Sequence, residues 1–331
     1  MIFLTGSSGL IGSHITKLLI DKGKSVRALK RPDTDLSLLG NYMDKVEWVN
    51  GDLEDPVLLK EALKNITTVI HCAAIVSYLP KDRELMYKIN VEGTANIINA
   101  AIENNVSVFG HISSIAAIGK PAREKTINEA FGLQEPVFST RYAKSKYLGD
   151  LEVYRGKEEG LKTFIVNPSV VLGPGDWSKG STSLFRYVFR RNRFYTPGTL
   201  NYVDVRDVAE IVCELLDTSQ HINGERYILN AGTTSYKEFF QKIAVNFQVK
   251  GPSIEASPFI SEIAWRLAYL KNLFSSRKTI ITKETVRLGK NQFSYDNGKI
   301  RELLEFSFRS LDQTLNWTCQ ELVKRHKAET N

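Results

Sequence analysis

Short apolar runs rich in β-branched residues alternate, in the first half of this chain, with longer stretches whose apolar positions recur at helical spacing. The short runs predict strands at Ile2–Thr5, Ser25–Leu29, Val46–Asn50, Thr68–His71, Ser107–Ile112 and Thr163–Val166. The stretches between them predict helices at Leu10–Lys22, Pro56–Lys64, Arg83–Asn104 and Arg141–Gly160. Such alternation is typical of a parallel sheet covered by helices on both faces, so we expect a doubly wound α/β fold.

The rhythm changes after about Pro174, where glycine, proline and aromatic residues interrupt shorter helices. Thr199–Val203 and Arg226–Leu229 are predicted as added strands, and the region from Gly251 to the end is predicted to be mostly helical. The apolar stretch Ile263–Phe274 permits two interpretations. It is either a helix packed on the body of the protein or an amphipathic helix that forms a lid or lies on a membrane surface.

A glycine motif follows the first predicted strand directly: Thr5-Gly6-Ser7-Ser8-Gly9-Leu10-Ile11-Gly12. A strand, a tight turn and a helix in this order point backbone N–H groups and the positive end of a helix dipole at one spot, which suits a dinucleotide pyrophosphate. Gly6 would allow the turn, Gly9 the approach of phosphate, and Gly12 the packing of helix on strand. An ordinary strand-to-helix turn is the alternative.

These patterns predict a Rossmann domain over residues 1–175, to which residues 200–232 return. Residues 176–199 and 233–331 are predicted to form a smaller, mostly helical part that binds substrate. The ligand is expected at the edge where the carboxyl ends of the parallel strands meet.

Charge and cysteine content exclude several other classes of protein. The net charge is +7 over 331 residues, but the basic residues are scattered, which does not favour nucleic-acid binding. No apolar run approaches the roughly 18 residues of a membrane span. Cys72, Cys213 and Cys319 lack the spacing of a metal site, so we expect no metal and a reducing, cytoplasmic setting.

A tyrosine and a lysine four residues apart, Tyr142 and Lys146, share one face of a predicted helix. A free tyrosine has a pKa near 10, and a neighbouring ammonium favours the phenolate, which makes the phenol usable as an acid or base. Ser113 and Ser114 follow the predicted strand Ser107–Ile112, at the sheet edge where ligands bind. A serine hydroxyl there would hold a substrate carbonyl; ordinary hydrogen bonding within the turn is the alternative.

Together these motifs resemble the extended short-chain dehydrogenases/reductases, within the NAD-dependent epimerase/dehydratase group. The matching segments run in order from the N-terminus to about residue 210: Thr5–Gly12, Gly51-Asp52-Leu53, His71-Cys72-Ala73-Ala74, Asn90–Thr94, Ser113-Ser114, Tyr142–Lys146, Asn167-Pro168-Ser169 and Tyr202–Ala209.

The resemblance implies a catalytic role for three residues. Tyr142 is the acid/base, Lys146 binds the nicotinamide ribose and lowers the pKa of the tyrosine, and Ser114 polarises the substrate. Ser114 is preferred to Ser113 because it directly precedes the segment 115–119 that follows this serine in relatives. Asn90 is expected to order the helix that supports the site. The implied cofactor-binding residues are Gly6, Ser8, Gly9, Leu10, Ile11, Gly12, Lys30, Arg31, Asp52, Leu53, Ala73, Ala74, Asn90, Ser113, Tyr142, Lys146, Pro168 and Ser169.

The end of the second predicted strand bears on the choice of cofactor. Enzymes that prefer NAD usually carry an acidic residue there for the ribose 2′-hydroxyl, whereas this chain has Lys30 and Arg31. A guanidinium suits a 2′-phosphate, so we expect NADP rather than NAD. Asp33 and Asp35 come later and are interpreted as caps.

The segment Ile165–Asp176 looks more like the dihydroflavonol-reductase and hydroxysteroid-dehydrogenase branch than the sugar-nucleotide epimerases, which carry an Arg-Tyr-Phe-Asn run there. The resemblance thus implies a reductase of a ketone or aldehyde on a small to medium, partly apolar substrate, or oxidation of the matching alcohol. The alternatives are an epimerase or dehydratase that uses bound NAD, and a non-catalytic NADP sensor. Relatives often dimerise through the helices that bear the tyrosine, so a homodimer is expected.

The residues near the predicted substrate region each permit a functional and a structural interpretation. Trp177, Phe185 and Tyr202 are candidates to line the substrate pocket or simply to pack. Arg186, Arg190 and Arg193 recur within Phe185–Phe194 at spacings that place them on one helix face. That face is either a clamp for a substrate phosphate or a solvated basic surface.

Overall fold

The computed structural model describes residues 1–119, 126–131, 140–218, 223–257 and 293–330. Its strands are β1 (Ile2–Thr5), β2 (Val26–Lys30), β3 (Val46–Asn50), β4 (Thr68–His71), β5 (Val108–Ile112), β6 (Thr126–Ile127), β7 (Lys162–Pro168), β8 (Val170–Leu172), β9 (Phe194–Tyr195), β10 (Thr199–Asp204), β11 (Glu225–Leu229), β12 (Gly232–Ser235), β13 (Ile254–Glu255) and β14 (Ser294–Tyr295). Its α-helices are α1 (Leu10–Asp21), α2 (Pro56–Ala62), α3 (Arg83–Tyr87), α4 (Gly93–Glu103), α5 (Arg141–Glu158), α6 (Thr182–Phe189), α7 (Val205–Asp217), α8 (Tyr236–Phe247), α9 (Gly298–Leu304) and α10 (Leu311–Thr330).

Seven parallel strands form the central sheet, in the order β3-β2-β1-β4-β5-β7-β11. The chain builds outward from β1 to β3 and then returns to place β4 on the other side of β1. The strand order therefore reverses between β1 and β4, and this is where such sheets bind ligands beyond the carboxyl ends of their strands. The predicted doubly wound Rossmann architecture is confirmed.

The two faces of the sheet bury different helices because successive strand residues point to opposite sides. Leu4 belongs to a core cluster that includes Ile15 of α1 and Val212 of α7. Phe3 belongs to a second cluster on the other face, which is covered by α2, α4 and α5. Since helices cover both faces, the edge at the carboxyl ends is the part of the sheet left for a ligand.

A smaller unit follows β7. Strands β8, β10 and β12 form a separate three-stranded sheet, and α6, α8 and α10 pack with it around a third core cluster. β11 pairs with β7 and so returns to the central sheet, whereas β10 lies in the small sheet. The guanidinium of Arg325 on α10 donates to the carbonyl oxygen of Pro174 over 2.6 Å, which fixes α10 to the loop that leaves the small sheet.

Among the described residues after Gly251, α9 and α10 account for most of the chain, and the short strands β13 and β14 pair with β9 and β6. The apolar stretch Ile263–Phe274 lies outside the described residues. Among the residues that are described, no helix has the length and apolarity needed to cross a lipid bilayer.

The predicted helix over Phe185–Phe194 is wrong in its extent. α6 ends at Phe189, and Arg191 takes a left-handed φ of +56° that reverses the chain. The backbone N–H groups of Arg191 and Asn192 bond back to the last turn in the pattern of a Schellman cap. Arg186 therefore lies on the helix, while Arg190 caps its end and Arg193 lies beyond it. The three arginines do not share a helix face.

Candidate active site

The glycine turn joins β1 to α1 with almost no room for side chains. Gly6 has a φ of +72°, and a Cβ atom there would lie 2.7 Å from the backbone nitrogen of Ala73. A Cβ on Gly12 would overlap the carbonyl oxygen of Gly6. Gly9 precedes α1 and supplies no side-chain cap, so the first N–H groups of the helix have no partner from the residue before it. The turn thus presents the N-terminal N–H groups of α1, which is the arrangement that binds phosphate.

Three buried serine hydroxyls lie along the same edge. Ser7 follows β1, Ser113 follows β5 and Ser169 follows β7. Among the described residues, none of these hydroxyl oxygens has a hydrogen-bond partner. Buried polar atoms are normally paired, so three unpaired hydroxyls spaced along this edge, the first of them in the glycine turn, fit a polar ligand laid across it. The residues present therefore fit a dinucleotide cofactor.

The other predicted cofactor residues are distributed along this edge. Lys30 ends β2 and is half-buried, and Arg31 follows it and is exposed. After β3, Asp52 is half-buried and Leu53 is buried in the core. After β4, the backbone N–H of Ala73 donates to the Thr5 hydroxyl over 3.2 Å, and Ala74 is exposed. Four further predicted residues lie in the glycine turn or at the end of β7: Ser8, Leu10, Ile11 and Pro168.

Tyr142 and Ser114 come together at the N-terminus of α5. The Thr140 hydroxyl caps this helix by accepting from the Ala143 N–H over 3.0 Å, which places Tyr142 in the first turn. Ser114 begins a short 3₁₀ helix, and its hydroxyl accepts from the Ala116 N–H over 3.2 Å. The Ser114 side chain lies beside the Tyr142 phenol, close enough for its hydroxyl to act on the pKa of the phenol. The hydroxyl beside Tyr142 is thus that of Ser114, while Ser113 is buried.

The pKa of Tyr142 differs from the expectation. It is raised above its ordinary value because the phenol is shielded from water and the Tyr78 ring lies against it, with ring centroids 6.1 Å apart. The Ser114 hydroxyl acts in the opposite direction but does not offset this effect. The expected lowering of the tyrosine pKa is therefore absent in this structure, and Tyr142 is a neutral phenol that carries a proton.

Lys146 lies one turn beyond Tyr142 and is only 1% exposed. Its ammonium donates to the carbonyl oxygen of Ile112 over 2.9 Å and lies 3.4 Å from Nε2 of His111. Burial lowers the pKa of Lys146 from 10.5 to about 8, so the side chain is still mostly protonated at neutral pH.

Asn90 connects the loop after β4 to α5 through side-chain hydrogen bonds. It lies in a π-helical turn, Lys88–Glu92, and its side chain bonds both backbone groups of Ile75 and donates to the Ser145 hydroxyl over 2.9 Å. Ser145 in turn donates to the carbonyl oxygen of Tyr142 over 2.8 Å.

His71 extends this network to β1. Its ring nitrogens bond the Thr5 and Thr94 hydroxyls over 2.7 and 3.0 Å, and Thr94 donates to the Asn90 carbonyl oxygen. Sequence reasoning assigned no role to His71 or Tyr78, since their partners are more than 20 residues away. A histidine inside a predicted buried strand was the available signal for His71.

Among the aromatic candidates for the substrate pocket, Phe185 is fully buried and Tyr202 is 8% exposed, and both belong to the core of the small unit. Trp177 is half-buried and packs against the rings of Phe189 and Phe247, with centroids 5.3 and 6.0 Å apart. In this structure Trp177 has the largest exposed fraction of the three.

Comparison with known proteins agrees with this geometry. The model of the NAD dependent epimerase/dehydratase family matches residues 2–232. A protein of Synechocystis sp. named "Putative dihydroflavonol 4-reductase" is 29% identical over 320 residues, covering 95% of this chain and 92% of that protein. "Sterol demethylase protein B" of Methylococcus capsulatus is 31% identical over 228 residues, covering 68% of each.

Solved structures share the fold over nearly the whole chain. The crystal structure of gox2253 has a TM-score of 0.80 and 28% identity, covering 98% of each chain. The dTDP-glucose 4,6-dehydratase DesIV of Streptomyces venezuelae, solved with NAD and TYD bound, has a TM-score of 0.78 at 18% identity, covering 99% of this chain and 98% of that one. The chain belongs to the NAD-dependent epimerase/dehydratase family of extended short-chain dehydrogenases/reductases, and it is an NAD(P)-dependent enzyme of that type.

Proposed function

We propose that this enzyme reduces a ketone or aldehyde on a small to medium, partly apolar substrate, with NADPH as the reductant and Tyr142 as the proton donor. The observation that carries the proposal is that the Ser114 side chain lies beside the Tyr142 phenol at the carboxyl edge of the sheet, with Lys146 one turn away. The bound cofactor would supply the hydride.

The hydroxyls of Ser114 and Tyr142 would act on the same substrate oxygen in different ways. Ser114 would donate to the carbonyl oxygen, which polarises the carbon towards hydride attack. Tyr142 would then give its proton to the same oxygen as negative charge develops. Because its pKa is raised, the phenol keeps this proton until hydride transfer makes the substrate oxygen basic enough to accept it. The positive charge of Lys146 would stabilise the phenolate that remains.

The names of the relatives support an apolar substrate without identifying it. They include "Cinnamoyl-CoA reductase 1" of Petunia hybrida and "3-beta-hydroxysteroid dehydrogenase" of Mycolicibacterium neoaurum, which are 30% and 24% identical to this chain. Because some of these names describe dehydrogenases, oxidation of a hydroxyl group is the reverse reaction that any assay must include.

NADPH consumption tests the proposed reaction directly. We expect the absorbance of NADPH to fall on addition of some member of a panel of apolar ketones and aldehydes, and to rise when NADP⁺ is mixed with the matching alcohols. Nucleotide sugars complete the panel. A nucleotide sugar converted without net change in the cofactor would contradict the proposal and favour the NAD-dependent epimerase or dehydratase.

The preference for NADP is proposed from the end of β2. Among the described residues, neither Lys30 nor Arg31 forms an ion pair, so both cations are free to meet a phosphate. Of the two acidic residues that follow, Asp33 and Asp35, the second accepts from the Ser37 N–H over 2.8 Å and serves as a local cap.

Arg31→Ser is expected to weaken NADPH binding about tenfold, equivalent to about 1.4 kcal/mol, and to leave NADH binding almost unchanged. The quenching of protein fluorescence by each cofactor gives the two dissociation constants. Arg301→Ser is the matched control, because Arg301 is exposed on α9, which packs on β11 at the opposite edge of the sheet. Tighter binding of NADH than NADPH by the unsubstituted protein would refute the preference.

A further inference from the structure

Three ionisable side chains are buried together beneath the tyrosine. Asp150 and His111 have no exposed surface and Lys146 is 1% exposed. Asp150 lies on α5 four residues beyond Lys146, so the two project from one face of the helix. His111 comes from β5 and lies between them. Its Nε2 atom is 3.4 Å from the Lys146 ammonium and 3.5 Å from a carboxylate oxygen of Asp150.

Asp150 is held in this position by the packing of α5. A Cβ atom on the preceding Gly149 would lie 2.5 Å from the carbonyl oxygen of Asn90, so the helix is pressed against the π-helical turn and has no space to rotate. Among the described residues, no donor reaches either carboxylate oxygen at ordinary hydrogen-bond distance. A buried carboxylate with so little local support is costly unless an opposite charge is close.

The other titratable groups that face Lys146 supply no negative charge near neutral pH. His71 on β4 stacks on His111 with ring centroids 5.3 Å apart, and burial lowers the pKa of both imidazoles, that of His111 to about 4. Burial raises the pKa of the Cys72 thiol to about 12 and keeps it neutral. Tyr142 is also neutral. Asp150 is therefore the anion that faces this ammonium among the described residues.

We propose that Asp150, acting across the His111 imidazole, is the counter-charge that keeps Lys146 protonated, which makes Asp150 and His111 positioning residues for proton transfer at Tyr142. The proposal rests on the proposed function for its catalytic consequence, but the state of Lys146 is a property of the chain alone. A neutral His111 imidazole fits between the Lys146 ammonium and the Asp150 carboxylate because it adds no charge of its own.

Removing the charge of Asp150 is expected to shift the pKa of Lys146 in one direction, downward. A nearby anion favours a charged lysine, so Asp150→Asn lowers the pKa of Lys146 further below about 8, by about one unit. The alkaline limb of the pH–rate profile then moves about one unit towards lower pH. With midpoints near 8 and near 7, the rate at pH 8 falls about fivefold relative to the unsubstituted enzyme, while the rate at pH 6 changes less than twofold.

Glu152→Gln is the matched control, because Glu152 lies on the same helix and pairs with Arg155 away from Lys146. An alkaline limb that stays in place in Asp150→Asn, or that moves equally in Glu152→Gln, would overturn the proposal. A merely structural role for Asp150 would lower the rate at every pH and leave the midpoint where it is.

A second readout needs no substrate. The Cε resonance of Lys146 in protein labelled with ¹³C-lysine, assigned by its loss in Lys146→Arg, reports the protonation of the ammonium directly. We expect its midpoint to fall by about one unit in Asp150→Asn. An unchanged midpoint refutes the inference even where carbonyl reduction is observed, and a lowered one supports it even where no substrate is found. If Asp150→Asn does not fold, the unsubstituted protein decides: a midpoint above pH 7 supports the proposal, and one below pH 7 refutes it.

Discussion

Replacing Tyr142 by phenylalanine is expected to lower kcat for carbonyl reduction by about 10²–10⁴-fold, the range for loss of a positioned general acid. The substitution removes the only atom of this side chain that carries a transferable proton and keeps the ring that packs on Tyr78. Binding of NADPH is expected to change little, because the glycine turn and the serine hydroxyls along the edge are untouched. Steady-state kinetics and a fluorescence titration with NADPH measure the two effects.

The matched control for this substitution is Tyr42→Phe. Tyr42 is half-buried and its hydroxyl donates to Asp21 over 2.9 Å, outside the site. We expect the control to keep its full activity. If Tyr142→Phe also kept full activity, the assignment of Tyr142 as the proton donor would have to be abandoned.

Replacing Gly12 by alanine is expected to give the second large effect, on cofactor binding. The new methyl group would overlap the Gly6 carbonyl oxygen, which is backbone and has no side-chain torsion with which to move away. Opening the turn to relieve the overlap costs about 1–3 kcal/mol and disorients the N–H groups that meet phosphate. NADPH binding should weaken about 10- to 100-fold, and the melting temperature should fall.

Gly23→Ala separates this effect from the strain that any substituted glycine suffers. Gly23 has a φ of +72°, but a Cβ atom there would meet nothing within 4 Å. We expect a loss of about 1 kcal/mol in the free energy of unfolding and no change in the dissociation constant of NADPH. Equal weakening of NADPH binding in both variants would show that the overlap at Gly6 does not shape the phosphate site.

The sheet was predictable because its signals are local. The apolar runs and the glycine turn place β1, β3 and β4 at the predicted residues, and the remaining strand ends differ by one or two residues. Where a strand ends depends on how far its neighbour pairs with it, which the local pattern does not fix. The end of α6 could not be predicted in this way. The helix ends at a left-handed residue, and that residue is Arg191 rather than the glycine that usually marks such a position in a sequence.

The candidate site was predictable where it depends on spacing and unpredictable where it depends on burial. The interval of four between Tyr142 and Lys146 is enough to place both on one helix face. The direction of the tyrosine pKa depends instead on how much water and which rings surround the phenol, and the ring of Tyr78 reaches it from a different segment. The lysine is visible in the spacing of the motif, whereas the shielding of the phenol arises only when the chain is folded.

By itself, the sequence determined the order of strands and helices, the glycine turn and the residue types that serve proton transfer, because each depends on neighbours within about one turn of helix or a few residues of strand. Only the tertiary structure decided that Phe185 is core, that Ser114, which the resemblance already favoured, lies beside Tyr142, and that His111 and Asp150 enclose Lys146. Those contacts join β5 to α5 across more than 25 residues of chain, and close packing around the sheet selects them.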